Sequence, residues 1–328
     1  MIDVDVLHRW AHEAGFCDAA LCDASAFELQ KESVEAGECL KERRQLLFEP
    51  KKDDSRTKSL AVLLWPYKPA PVPAQGHVFV DSYYHASNAA YHAAKELEKR
   101  LQDAGCFARA NVGYPAKAAA LRAGLGVIGM NDLLITKANG SRVVIILMAT
   151  DMEVKSASCS SEKAVHACIQ CGRCTSACPT GALTSKGMEH PERCLRNHMM
   201  EGTIVPEDMR RRMNRNLIGC DVCQRVCPMQ PADARTDERS GFLLSEFVTD
   251  EPEVFAQSAA RLAQCIGKNA ARPQRIRAQA AILAGNSCDE AYLPVLRKWA
   301  ELPFEAVSVH AKWAIEMIES HQKRVPGP

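Results

Sequence analysis

The spacing of apolar residues changes along the chain, and each change marks a different element. Residues 4–16 are apolar at helical intervals and stop at Gly15, which predicts an amphipathic helix followed by a short strand around Asp18–Leu21. Helical, charged spacing covers 25–48, and Glu49–Lys58 is polar enough to read as a loop. Leu60–Trp65 (L-A-V-L-L-W) is an unbroken apolar run bounded by Lys-Ser and Pro66, the mark of a buried strand. Four prolines from Pro66 to Pro73 then require a loop. Ser82–Ala104 is helical, with alanines, leucines and alternating Glu/Lys, and stops at Gly105, a C-cap residue. Phe107–Val112 predicts a strand, and Ala116–Ala123 a helix of small residues closing on Gly124.

G-L-G-V-I-G, Gly124 to Gly129, has the form Gly-x-Gly-x-x-Gly, but a dinucleotide loop needs a strand before it and a helix after it. Here a helix precedes. The residues after it (D-L-L-I-T-K, Asn-Gly, S-R-V-V-I-I-L-M) predict a β-hairpin turning at Asn139-Gly140. The glycines read instead as a tight turn or a close approach of backbone. Mixed strands and helices over 1–154 predict an α/β or α+β domain. From Phe242 every periodic segment is helical. R-I-R-A-Q-A-A-I-L-A-G-N-S (275–287) and H-A-K-W-A-I-E-M-I (310–318) read as HEAT-like helices, small residues facing small residues, with Gly-Asn-Ser as the turn between repeats. The predicted division is 1–154, 155–232 and 241–328, with a polar linker over Pro231–Ser240.

The middle stretch carries the chemistry. C-I-Q-C-G-R-C-T-S-A-C-P places Cys168, Cys171, Cys174 and Cys178 before Pro179, the bacterial ferredoxin spacing. Three thiolates at steps of three can grip three corners of a 4Fe–4S cubane, while the fourth points to a second cluster. C-D-V-C-Q-R-V-C-P supplies Cys220, Cys223 and Cys227, with Leu217 where a fourth cysteine would stand, and Cys194 is the natural substitute. Crossing the fourth ligands gives one cluster on Cys168, Cys171, Cys174 and Cys227, and a second on Cys178, Cys194, Cys220 and Cys223. A zinc site or a disulfide framework are the alternatives, but a third close cysteine is surplus to a zinc knuckle. Seven cysteines remain (Cys17, Cys22, Cys39, Cys106, Cys159, Cys265, Cys288) and read as small buried apolar residues.

Composition changes this picture little. With 328 residues, 41 basic and 40 acidic, the chain can hold two or three domains, and its charge balance singles out no polyanion or membrane. No export signal and no run of spanning length is visible, so fifteen cysteines point to reduced thiols in a cytoplasm. From Arg261 onward ten basic residues face six acidic ones. Arg272, Arg275 and Arg277 there mark either a solvated helix face or an RNA-contacting one.

A-G-L-G-V-I-G-M-N-D-L-L-I (123–135), the C-x-x-C-x-x-C-x-x-x-C-P-T-G-A-L run (168–183), lone Cys194, G-C-D-V-C-Q-R-V-C-P (219–228) and helices after them resemble, in that order, the epoxyqueuosine reductases. The resemblance covers nearly the whole chain. It implies a cobalamin-binding first domain, two 4Fe–4S clusters fed by a low-potential donor of ferredoxin or flavodoxin type, and a monomer that reduces an epoxide on the tRNA wobble base to queuosine. It places Tyr91, His92, Gly126, Met130 and Asn131 toward the cofactor. The family's Asp-Tyr-His stands here as Ala90-Tyr91-His92, so the proposed proton donor is missing and the substrate is open to difference. Asp81, Tyr83, Tyr84 and Tyr91 are the substitute acids, and His198, four residues after Cys194, is either a satisfied histidine or a neighbour of a cluster or cobalt. A two-cluster electron carrier without cobalamin, and an RNA-binding module with structural clusters, are the competing classes.

Overall fold

A computed structural model describes residues 2–35, 46–154, 168–231 and 241–322. The first stretch of chain builds α1 (Val4–Glu13), β1 (Asp18–Asp23), α2 (Glu28–Glu35), α3 (Pro50–Asp53), β2 (Ser59–Pro66), β3 (His77–Val80) and α4 (Ser82–Asp103). It continues through β4 (Ala108–Ala110), α5 (Ala116–Arg122), β5 (Val127–Ile128), β6 (Leu134–Ile135) and β7 (Val143–Thr150). The polar loop expected over 49–58 contains the helical turn α3, because Pro50 at its first position has the fixed φ a helix start needs.

β1, β2, β7 and β4 form one sheet in that order, and every pairing in it is antiparallel. β2 and β7 are buried on both faces, so their side chains alternate between two cores. Ala61, Leu63, Val144, Ile146 and Met148 face α1 and α4, whereas Leu60, Val62, Leu64, Val143, Leu147 and Ala149 face α5 and the residues after it. The first region is therefore mixed α and β around an antiparallel sheet. The hairpin expected at Asn139-Gly140 does not form. That turn closes a single Thr136–Gly140 bridge, and the V-V-I-I-L-M strand pairs with β2, about eighty residues earlier. The local hairpin is β5–β6, directly after Gly-Leu-Gly.

The cysteine block contributes α6 (Arg173–Ala177), β8 (Leu183–Thr184), β9 (Gly187–Met188), α7 (Leu195–Glu201), α8 (Glu207–Arg210), β10 (Asn216–Ile218) and α9 (Val222–Arg225). After it come β11 (Phe242–Leu243), α10 (Pro252–Ile266), α11 (Pro273–Ser287), α12 (Leu293–Trp299) and α13 (Glu305–Gln322). β3 lies between β10 and β11, so a three-stranded sheet draws one strand from each of the three stretches. One core likewise joins Val78 and Tyr84 to Leu195–Ile218 and to the C-terminal helices. α11 and α13 pack along small residues. At Gly285 a β-carbon would stand 2.8 Å from the Ala314 Cα, so this glycine permits the crossing. Gly285-Asn286-Ser287 are thus the last turn of α11 rather than an inter-repeat turn, and Cys288 in the left-handed region ends the helix.

Candidate metal centre

The first cysteine run is shaped by two left-handed residues. Gln170 (φ 51°) and Gly172 (φ 71°) wind 168–173 into a tight loop, which leads into α6 with Cys174 buried and Cys171 exposed. Cys227 comes to this loop from beyond α9. Burial pushes its thiol up, and the charges of Cys174, Cys168 and Cys171 push it further. The same four cysteines line one small cavity, whose remaining wall includes Met130, Asn131, Ile135, Ile169 and Met229.

Cys178 turns away from this group. Burial acts to raise its thiol, but the backbone N–H groups of Thr180, Leu183 and Ala182 outweigh burial and hold it below the ordinary value. Its neighbours are Cys194, the residue before α7, and the pair Cys220 and Cys223. Burial drives Cys220 up to about 12, with Cys194 adding to the effect. Cys223 is raised too, first by burial and then by Cys220, Cys194, Cys174 and Cys178. The cysteines therefore fall into two groups of four, each completed by a residue from the other run. No disulfide joins any of the described cysteines. Among the described residues no three His, Cys, Asp or Glu side chains close on a point as a single-ion site requires. Eight thiols in two quartets, with amide donors on Cys178 and little solvent at the second quartet, fit two 4Fe–4S clusters.

A buried charge network stands against the second quartet. Asp81 caps α4 through the Tyr83 N–H. Burial, and after it Asp221, raise its carboxyl to about 6 against the opposing Tyr83 N–H bond, Arg196 and Arg142. Gly219 lets Asp81 approach the ligand strand, since a β-carbon there would stand 2.4 Å from the Asp81 Cβ. Asp221, between Cys220 and Cys223, pairs with Arg225 at 2.7 Å and with buried Arg142 at 3.6 Å. Arg196, two residues after Cys194, lies over the Tyr83 ring at 4.4 Å and donates to the Tyr84 hydroxyl. Gln224 donates to Tyr67 and to the Ser141 carbonyl, tying α9 to the first region. Of this network the sequence pattern marks only Asp81, Tyr83 and Tyr84. Asp221 stands between Cys220 and Cys223 in C-D-V-C, a position that could have marked it, whereas Arg142, Arg196 and Gln224 carry no motif.

The five residues carried over for cobalamin do not assemble. Tyr91 and His92 are exposed on α4, stacked edge to face on each other, on one side of the four-stranded sheet. Gly126, Met130 and Asn131 lie on the other side, in the β5–β6 hairpin that packs with α5. Met130 and Asn131 face the first quartet, while Gly126 backs onto the Ile135 carbonyl with no room for a side chain. Ala90, read as the site of a missing acid, is fully buried in the core between α4 and the sheet. A carboxylate at 90 would face that core. Tyr84 is also buried, its hydroxyl pushed up to about 12 by burial, whereas His198 bonds the Glu192 carbonyl. Of the surplus cysteines, Cys22 is buried, Cys17, Cys106, Cys265 and Cys288 are partly so, and Cys39 and Cys159 lie outside the described residues. Arg272 is exposed, but Arg275 donates to the Asn269 carbonyl and Arg277 lies 4.1 Å over Phe255.

Residues 167–230 match the family model of the 4Fe-4S double cluster binding domain. An epoxyqueuosine reductase of Lactococcus garvieae is 29% identical over 247 residues, 71% of this chain and 67% of that one. One from Gloeobacter violaceus is 35% identical over 170 residues, 48% of this chain and about half (51%) of that one. The chain is a relative of the epoxyqueuosine reductases. An epoxyqueuosine reductase solved with an epoxyqueuosine-modified tRNA-Tyr stem loop superimposes with a TM-score of 0.78, covering 96% of this chain and 89% of that one at 21% identity. That of Streptococcus thermophilus gives 0.73 over 97% and 91%, also at 21% identity, so the epoxyqueuosine reductase fold extends over nearly the whole chain.

Proposed function

We propose that this chain is an iron–sulfur oxidoreductase that reduces an electrophile carried on tRNA, as its relatives' name describes for epoxyqueuosine. The observation that carries the reading is the crossed grouping of eight cysteines. Cys168, Cys171, Cys174 and Cys227 hold one 4Fe–4S cluster, and Cys178, Cys194, Cys220 and Cys223 hold the other. Such clusters supply single electrons at low potential when bound. The chain's own residues seat them, bury the second quartet in part, and place Asp81 beside it. Burial raises the Asp81 carboxyl above the ordinary carboxylate range, and its Oδ1 stays engaged by the Tyr83 N–H. Electrons come from a small low-potential donor, and the 241–328 helices, HEAT-like in their small-residue packing, present Arg272 toward RNA. The chain works as a monomer in a reducing compartment, and no helix among the described residues is long and apolar enough to cross a membrane.

Cobalamin enters by resemblance alone. The sheet divides the residues that the resemblance places toward it. That division favours a second reading, a two-cluster electron carrier without cobalamin. The visible spectrum of anaerobically purified protein separates the two: cluster absorbance with corrin bands supports a corrinoid reductase, and cluster absorbance alone supports the carrier. An iron content far from about eight per chain would overturn both.

A further inference from the structure

The cavity shared by Cys168, Cys171, Cys174 and Cys227 has one uncharged side-chain amide in its wall, Asn131, among the apolar residues Met130, Ile135, Ile169, Pro228 and Met229. Asn131 is 4% exposed. Its Oδ1 accepts the Leu133 N–H at 3.4 Å, which fixes the orientation of the carboxamide. Its Nδ2 is buried without a hydrogen-bond partner among the described residues. A buried amide N–H left unpaired forfeits its hydration, so an orphan at a cavity wall needs an acceptor there. The hairpin around it is built to hold this position. Gly129 has no room for a side chain, since a β-carbon would meet the Ile135 side chain at 2.5 Å and the Asn131 Oδ1 at 2.8 Å. Asp132 takes up a left-handed φ of 58°, and Lys117 clamps both its carbonyl and its carboxylate.

We propose that Asn131 Nδ2–H donates to a sulfur of the cluster held by this quartet and raises that cluster's reduction potential. The inference rests on the two-cluster reading above. A reduced cluster carries one more negative charge than an oxidised one, so a donor to its sulfurs stabilises the reduced form. The apolar wall strengthens that single bond. Asn131 is thus a positioning and tuning residue for the first cluster and leaves the second untouched.

The test is anaerobic potentiometry with electron paramagnetic resonance on the full chain, comparing Asn131→Ala and Asn131→Asp with the wild type. Asn131→Ala removes the donor without adding charge and so sets the expected shift, whereas Asn131→Asp keeps the Oδ1 that caps Leu133 but puts an ionisable oxygen where the donor stood. Both variants are expected to retain about eight irons. One of the two clusters should then become harder to reduce by about tenfold, equivalent to ~59 mV for a one-electron couple, while the other stays at its wild-type potential. In wild-type protein with isotopically labelled asparagine nitrogen, pulsed resonance of the reduced cluster should show coupling to one amide nitrogen, lost in Asn131→Asp. Wild type without that coupling overturns the proposal, as does a fully loaded variant with both potentials unchanged or both shifted alike. If Asn131→Ala fails to fold, the wild-type nitrogen coupling and its loss in Asn131→Asp decide, without the potential of the charged variant. A wild type lacking about eight irons refutes the two-cluster reading itself, which is a separate outcome.

Discussion

His310 makes the stability of this chain depend on pH in one direction. It is completely buried on α13; its Nδ1–H donates to the Ala278 carbonyl on α11, and its Nε2 accepts the Val205 N–H from the cysteine block. Both nitrogens are used only by the neutral ring, because a proton on Nε2 would face the Val205 N–H. Burial lowers its pKa from 6.5 to about 4, and Arg210 acts in the same sense against the Ala278 hydrogen bond. Between those values the unfolded chain binds a proton that the folded chain refuses. Stability is therefore full above about pH 6.5, falls as the pH drops toward 4, and loses nothing more from this group below it. At ~1.36 kcal/mol per pH unit the ceiling is ~3 kcal/mol, of which ~2 is gone at about pH 5. The assay is anaerobic urea denaturation followed by fluorescence, with Trp299 and Trp313 in the same core as reporters. His310→Gln should be less stable than wild type at neutral pH but lose ~2 kcal/mol less on going to about pH 5. A variant that loses as much as wild type over that interval refutes the reasoning.

Cys194→Ala should reduce iron from about eight to about four per chain, since one cysteine outside both dense runs completes the second quartet; unchanged iron content sinks the assignment. Ala90→Asp should lower soluble yield and melting temperature sharply relative to Ala90→Ser, because it buries an unpaired carboxylate in the α4–sheet core, and a wild-type melting temperature would contradict the burial. Arg272→Ala should reduce the slope of log affinity for tRNA against log salt by about one. Arg277→Ala should leave that slope alone and lower stability instead, through the lost contact with Phe255; equal slopes in wild type and Arg272→Ala would make the tail plain scaffold.

What was legible in the sequence was what spacing alone can specify. Ferredoxin spacing implies that Cys178 and Cys227 exchange partners, and in the structure Cys227 lies by Cys168, Cys171 and Cys174 while Cys178 is among the neighbours of Cys223. Long periodic segments such as Ser82–Asp103 and the apolar run at 59–66 declared themselves because a helix face or a buried strand needs many residues of one kind. Pairing between distant strands has no such local mark. Asn139-Gly140 carries a strong hairpin signal, yet β7 finds better burial against β2 and β4, and only one bridge of the hairpin survives. β3, β10 and β11 are two to four residues long, too short for any alternation to mark them as strands. Ala90 shows the limit of transferring a motif by position: the alanine faces the sheet, and burial on α4 decides what that position can do.

The weaving of the cysteine block into the rest explains why its ligands are spread over sixty residues. Cys194 leads into α7, whose Met199 and Leu195 belong to the core of the C-terminal helices. Gln279 on α11 donates to the Met199 carbonyl, and Val205, a few residues on, binds His310. On the other side, α9, which carries Cys223, is tied by Gln224 to Ser141 and Tyr67 of the first region. The second quartet thus takes its cysteines from segments anchored in both bodies of the protein. Closing it around a cluster would lock those bodies together, because metal affinity that requires a preformed site is also folding free energy. Loss of the second cluster should then loosen α7 and the α11–α13 packing, whereas the first quartet sits on its own tight loop with Cys171 at the surface, where its loss disturbs little beyond the β5–β6 hairpin.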